Sequence, residues 1–281
     1  MLNFKTITLT LLSMIAFAGN SLLCRMALKS TAIDAASFTT VRMLSAALVL
    51  GLLIGFKPSV YRNGGSWPSA LALFAYAAGF SFAYINLSTG TGALLLFGAV
   101  QATMIGFGIY NGERLVGWRL IGFLLALGGL IILLLPGLSA PPLASALSMV
   151  VAGIAWGIYS LRGKAVGSPV AATAGNFLRT VPMTAALSLV MLPQMSLSVD
   201  GVVLAVLSGA LTSGLGYAIW YGVLPFLKST TAATVQLSVP VIAALGGVLL
   251  LGEPLAGRLI AASLAIVVGI LLVIHQKTKT I

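Results

Sequence analysis

The sequence predicts an all-α integral membrane protein, with ten transmembrane helices in two inverted five-helix repeats. Three observations predict it. Of 281 residues, 59% are hydrophobic and only 7% charged, against about 25% charged in soluble domains. That is too little charge to cover a globule in water. The apolar residues gather into ten continuous runs of about the ~20 residues a bilayer requires. Charged landmarks also recur at a fixed offset in the two halves of the chain.

The runs come in this order along the chain. Thr6–Leu23 comes after Lys5, and Ala35–Phe56 ends before Pro58. Trp67–Leu87 carries Pro68 at its start, and Gly90–Ile109 lies close behind it. Gly117–Leu135 stops at Pro136, and Leu143–Leu161 begins after Pro141 and Pro142. Val170–Leu192 lies between Pro169 and Pro193; Gly201–Val223 is next. Thr231–Leu251 and Leu255–Ile274 are parted at Pro254. Prolines so placed mark helix starts and stops. Pro225 lies near the end of a run, whereas Pro182 and Pro240 lie inside runs and are hinge candidates. Barrel strands require alternation over ~10-residue segments, and these runs are continuous.

The net charge of +11 does not indicate nucleic acid, because the charges stand singly or in pairs between apolar runs. With the N-terminus in the cytoplasm, ten Lys and Arg fall inside (Lys5, Lys57, Arg62, Arg114, Arg119, Arg162, Lys164, Lys228, Lys277, Lys279). Three, Arg25, Lys29 and Arg258, fall outside. That bias sets both termini in the cytoplasm. One cysteine, Cys24, excludes internal disulfides and thiolate metal sites. Lys5 and Ala16-Phe17-Ala18 imitate a signal peptide, but this run has a counterpart later in the chain, so it is read as a span.

The repeat rests on spacing. Arg25 and Arg42 are 17 apart, as are Arg162 and Arg179, at an offset of 137. Gly112-Glu113 and Gly252-Glu253 recur at an offset of 140, each succeeded by a Gly and an Arg. The halves are residues 1–137 and 141–281. Five helices is an odd number, so the second half enters the membrane from the opposite side. Inverted repeats are a recurrent plan of secondary transporters, with the substrate near the midplane.

At these residues the chain resembles the EamA branch of the drug/metabolite transporter superfamily. The most specific stretch is LLLGEPLAGRLIAASLAIVVGILLVI (Leu249–Ile274), and Gly112-Glu113-Arg114 is similar but lacks the proline. The resemblance implies a small-metabolite carrier, often an exporter of amino acids or related compounds, with no bound cofactor and a central cavity lined by both halves. Pro240, a family-like kink, corresponds to Val100 in the first half.

Candidate site residues are suggested by burial costs. Arg42 and Arg179 lie within runs, where arginine costs ~2.5–3.5 kcal/mol and faces the bundle or a water-filled cavity. Snorkelling, pairing with backbone carbonyls, and contact with a substrate carboxylate all remain open. Glu113 and Glu253 sit at interhelical turns. There a carboxylate can accept from the next helix's N-terminal amides, pair with Arg119 or Arg258, or take part in coupling. Uncharged polar and aromatic residues are the cavity candidates: Asn20, Tyr84, Asn86, Gln101, Trp156, Tyr159, Asn176, Tyr217, Trp220, Tyr221 and Gln236. Tyr84 and Tyr221, near run ends, fit an interfacial belt equally well. Gly51/Gly55, Gly108/Gly112 and Gly153/Gly157 are each four apart and are read as close helix contacts.

The expected function is alternating-access transport of small organic metabolites, with export of amino acids or related amphipathic compounds first. A carrier of anionic solutes using Arg42 or Arg179, and a non-transporting membrane subunit, are the alternatives. An enzyme is not expected: the one histidine, His275, lies at a helix end and no acid lies deep in a run. The expected setting is a bacterial inner membrane, with a small-molecule substrate and the bilayer as partners. No metal, catalytic group or nucleic acid is expected.

Overall fold

The structure, a computed structural model, describes residues 4–57, 64–112, 116–135, 140–163, 168–223, 226–227 and 235–275. Ten helices form among the described residues. These are α1 (Phe4–Ser30), α2 (Ala35–Leu53), α3 (Trp67–Tyr84), α4 (Thr89–Tyr110), α5 (Trp118–Leu134) and α6 (Leu143–Gly163). Then come α7 (Pro169–Val190), α8 (Val199–Val223), α9 (Ser238–Leu251) and α10 (Gly257–His275). Starts are set by side-chain caps that satisfy otherwise unpaired amides. Asp34 caps α2, and Ser66, Ser88 and Ser198 cap α3, α4 and α8.

Three boundaries differ from the sequence reading. The first helix runs on past Leu23 to Ser30, so Arg25 lies inside it and not at its end. Its guanidinium is satisfied by neighbouring helices, so the charge is no reason to stop. The eighth helix is continuous over 25 residues, but its backbone widens to i→i+5 bonding over Ser208–Leu215. The ninth helix begins at Ser238, which puts Pro240 in the first turn. There the missing N–H is one that a first turn leaves unpaired, and a turn at Leu237 parts this helix from the helical residues 235 and 236. Pro182, in contrast, is inside α7 as expected.

Polarity is reversed relative to a soluble protein. Ser13, Asn20, Thr39, Arg42, Ser81 and Thr180 are buried, while Leu147, Val151, Ile154 and Ile158 form an exposed stripe along α6. Apolar residues facing outward around a polar interior are what a lipid solvent demands. Five helices (α1, α2, α4, α6 and α8) are long and apolar enough to cross a membrane. The chain is a multi-pass membrane protein.

Every helix of the first five packs on helices of the second five. α3 and α4 pack on α6, while α8 and α9 pack on α1. α2 meets α7 and the widened part of α8, and α7 meets α3. α4 lies against α9, and α5 against α10. Exchanging each helix with the one five later returns these same pairings, and a lesser contact of α4 with α10 is the exception. Close approach of α6 to α4 depends on two glycines: a Cβ on Gly153 would stand 2.6 Å from the Leu96 carbonyl, and one on Gly157 2.9 Å from Thr103. Gly55 and Gly112 do something else, turning the chain at helix ends with φ of 67° and 90°. They make no helix contact, and a Cβ there would meet open space.

Candidate functional site

The bundle centre is an aromatic cage around a polar node. Tyr76 of α3, Trp156 of α6 and Tyr217 of α8 bring their rings together, with centroids 4.8 and 5.0 Å from Trp156. Phe17 of α1 stands edge-on to Trp156, Tyr217 and Trp220 at 6.4, 5.7 and 5.9 Å. Phe80, Phe177 and Tyr159 extend the cluster. A cavity of about 20 Å³ lies within it, lined by Phe17, Asn20, Tyr76, Phe80, Trp156 and Tyr217 among others. That is about the room of one water.

The node is the Tyr76 hydroxyl. Asn20 Nδ2 donates to it at 3.1 Å, and Arg42 Nη2 at 3.2 Å. Arg42 Nε donates to Ser213 at 3.1 Å, and its carbon lies 5.4 and 5.0 Å from the ring centres of Tyr76 and Phe80. Arg42 is 0% exposed, and its Nη1 has no hydrogen-bond partner. Asn20 Oδ1 accepts from Ser208 at 2.7 Å and Thr212 at 3.3 Å. The widened turn of α8 is what turns Ser208, Thr212 and Ser213 together toward α1 and α2. Such irregular turns gather at functional positions.

A vestibule of about 370 Å³ opens at one end of the bundle, where α2 joins α3 and α6 joins α7. Tyr159, Arg162, Thr173, Asn176 and Tyr221 line it. Arg162 Nε donates to Ser69, and Asn176 Oδ1 accepts from the Ser66 amide at 2.8 Å. Its size falls within the usual range for small-molecule sites. A ring contact joins it to the cage: Tyr159 lies 5.5 Å from Trp156.

The opposite end is latched. Arg25 Nε meets Glu253 Oε1 at 3.2 Å, both side chains largely buried. Glu253 Oε2 accepts from the Thr89 amide at 2.7 Å, at the start of α4. Arg25 Nη1 donates to the Tyr84 and Ile85 carbonyls at the end of α3. Four elements (α1, α3, α4 and the α9–α10 turn) are thereby tied at one point. Asp34 stands at this end too. Burial would raise its carboxyl, but hydrogen bonds from Ser37, Ser196 and Ala36 together hold it below its ordinary value.

The anticipated residues separate accordingly. Asn20, Trp156, Tyr217 and Trp220 meet in or around the cage, and Tyr159, Asn176 and Tyr221 border the vestibule. Gln101 turns away, lining a small space between α4 and α5 with Phe123 and Leu130. Asn86 is exposed and donates to Ser145, tethering the α3–α4 turn to α6. Gln236 is half-buried ahead of α9 and lines neither cavity. Tyr84 is fully buried, donating to the Thr89 carbonyl, and so is no interfacial residue. Arg179 points its Nη1 at the carbonyls of Gly64 and Gly175, at 2.6 and 2.9 Å. Glu113 lies outside the described residues. Glu253 neither pairs with Arg258 nor caps the helix after it. The left-handed turn at Gly252 aims it across the bundle at α1 and α4 instead.

Comparison with known proteins is decisive at this point. An uncharacterized protein of Pseudomonas aeruginosa is 58% identical over 275 residues, covering 97% of this chain and 96% of its own. The EamA-like transporter family matches residues 143–275. The chain belongs to the EamA-like transporter family. An uncharacterized transporter of Archaeoglobus fulgidus is 25% identical over 245 residues, 84% of each chain. A protein of known crystal structure shares the fold, with a TM-score of 0.66, 18% identity and 96% coverage of both chains. This EamA-like chain is therefore a membrane transporter of small solutes.

Several residues of this transporter's interior were not among the candidates. Tyr76, Ser208 and Ser213 carry the node, and Arg25 and Arg162 carry the two ends. The small polar clusters inside an apolar run (Ser208-Gly209, Thr212-Ser213-Gly214) were the available signal for the first group. For Arg25 the signal was its predicted placement on the same side as Glu253.

Proposed function

We propose that this EamA-like protein exports small organic metabolites, amino acids or related amphipathic compounds, across a bacterial inner membrane by alternating access. One observation carries the reading: an aromatic cage at the bundle centre is sealed by the Arg25–Glu253 latch at one end and stands next to an open vestibule at the other. A carrier waiting for cytoplasmic substrate has this form. The excess of Lys and Arg argues for a vestibule end and both termini in the cytoplasm. The exchange symmetry of the helix pairings supports two inverted five-helix units, which would open the other end by the same geometry.

Transport on this reading uses no chemistry, metal or cofactor, and its partners are the solute and the bilayer. Solute counterflow in proteoliposomes containing the purified chain is the test. Flux of metabolites by the protein alone is expected. Absence of flux for the metabolites that leave or enter overexpressing cells would overturn the reading in favour of a non-transporting subunit. A second reading, a carrier of anions, is favoured by the unpartnered Nη1 of Arg42.

A further inference from the structure

The central guanidinium has one donor more than the protein uses. Nε and Nη2 of Arg42 are taken by Ser213 and Tyr76, while Nη1, just as buried, has no hydrogen-bond partner. Both partners are neutral hydroxyls. No carboxylate among the described residues balances the charge: Glu253 and Asp34 are engaged at the latched end, and Asp200 opens α8 there. A buried cation without a counter-ion is costly, and in membranes such residues mark the path of a charged solute.

The vestibule repeats the pattern. Arg162 stands in its wall beside hydroxyl and amide groups, and no acid is among the described residues that line it. From there the rings run Tyr159, Trp156, Tyr76, at 5.5 and 4.8 Å, and Tyr76 accepts from Arg42. A cation therefore stands at each end of one aromatic path.

We propose that the exported solute is a small organic monoanion, one carboxylate on an apolar or aromatic body, captured at Arg162 and passed to Arg42, and that the membrane potential drives it outward. This rests on the carrier reading above and, for its solute, takes the second reading, an anion, in place of a zwitterionic amino acid. One unpartnered donor at the centre suits one carboxylate. The ring faces suit an apolar body. A zwitterion would bring its ammonium beside Arg42, with no lining carboxylate to receive it. A monoanion leaving a negative interior runs down the electrical gradient, which sustains a ratio of about fifty-fold per 100 mV. No proton-carrying acid lines the described path, and none is required.

The experiment uses the purified full chain and three solutes with one body: phenyllactate (anion), phenylalanine (zwitterion) and phenyllactamide (neutral). Thermal stabilisation in detergent reads binding. Flux in proteoliposomes under a valinomycin-set potassium potential reads driving force. Phenyllactate is expected to stabilise the protein and to distribute toward the positive side by about fifty-fold per 100 mV. Arg162→Gln, at an exposed position, is expected to weaken phenyllactate binding about tenfold, and Arg42→Gln to abolish it. Should Arg42→Gln fail to fold, Arg162→Gln decides. Stabilisation by phenylalanine or phenyllactamide but not phenyllactate overturns the proposal, as does phenyllactate flux indifferent to potential. Unaltered phenyllactate binding by Arg162→Gln overturns the capture step. Phenyllactate binding without flux of any solute overturns the carrier reading and the driven step, and leaves the anion site supported.

Discussion

The Arg25–Glu253 latch sets how much of the protein rests closed at that end, and Glu253→Gln measures it. The substitution keeps the shape and an acceptor for the Thr89 amide but removes the charge facing Arg25 Nε at 3.2 Å. Removing one partner of a buried pair costs about 3–5 kcal/mol when the other is stranded. Arg25 is not stranded, because it retains the Tyr84 and Ile85 carbonyls at 2.9 and 2.8 Å. What is lost is the charge assistance of one hydrogen bond, about 2 kcal/mol. If the other end is unaffected, the latched state loses about thirty-fold in population against the opened one. The chain carries its own reporter. Cys24, the one cysteine, is fully buried and adjoins Arg25. Its labelling rate by a membrane-impermeant maleimide is expected to rise about thirty-fold in Glu253→Gln. A rate within about threefold of the parent, in a protein still folded and monodisperse, would refute the latch.

Three further outcomes are expected. Gly153→Val drives side-chain atoms into the Leu96 carbonyl and Ala99, and should cost about 1–3 kcal/mol in thermal unfolding with α4 displaced from α6; Gly128→Val, where no atom stands near, is the control. Asn20→Leu leaves Ser208 and Tyr76 short of a partner, while Thr212 keeps the Ser208 carbonyl, and should lower stability by about 1–2 kcal/mol, read by denaturant unfolding in detergent. Asp34 is held below its ordinary value in the folded protein. Its stabilising contribution is therefore complete above the unfolded carboxyl pKa of about 3.9 and is lost as pH falls through the lower folded value. Asp34→Asn should flatten that acid limb of a melting-temperature profile and leave the neutral limb parallel to the parent.

Helix number, helix type and membrane class were legible because lipid leaves no other choice for continuous apolar runs with so few charges. Site residues were legible where one side chain has to find a partner: an Asn or Trp deep in a run faces inward, as Asn20 and Trp156 do. Pairings across the bundle were not legible. Glu253 finds Arg25 at a separation of 228 residues, whereas local spacing pointed to Arg258. Gln101 and Asn20 look alike in sequence, yet a rotation about the helix axis sends one toward α5 and the other to the centre. Arg42 and Arg179 share a repeat position, but one meets hydroxyls and the other carbonyls, because the second is beside the α2–α3 connection.

The widened turn of α8 makes the backbone hydrogen-bond register itself part of the recognition surface. An i→i+5 turn holds one residue more than an α-helical turn, and each residue rotates the remainder of the helix by about 100°. Re-forming Ser208–Leu215 as a regular α-helix with every residue kept would rotate all that follows by about that angle. Tyr217 and Trp220 would then swing off Phe17 and Trp156 together, and the transporter would keep its span while losing half its cage. A relative with one residue fewer here would need no widened turn and would present the same surface to the solute, whereas a change of hydrogen-bond register alone, with every side chain retained, would present another.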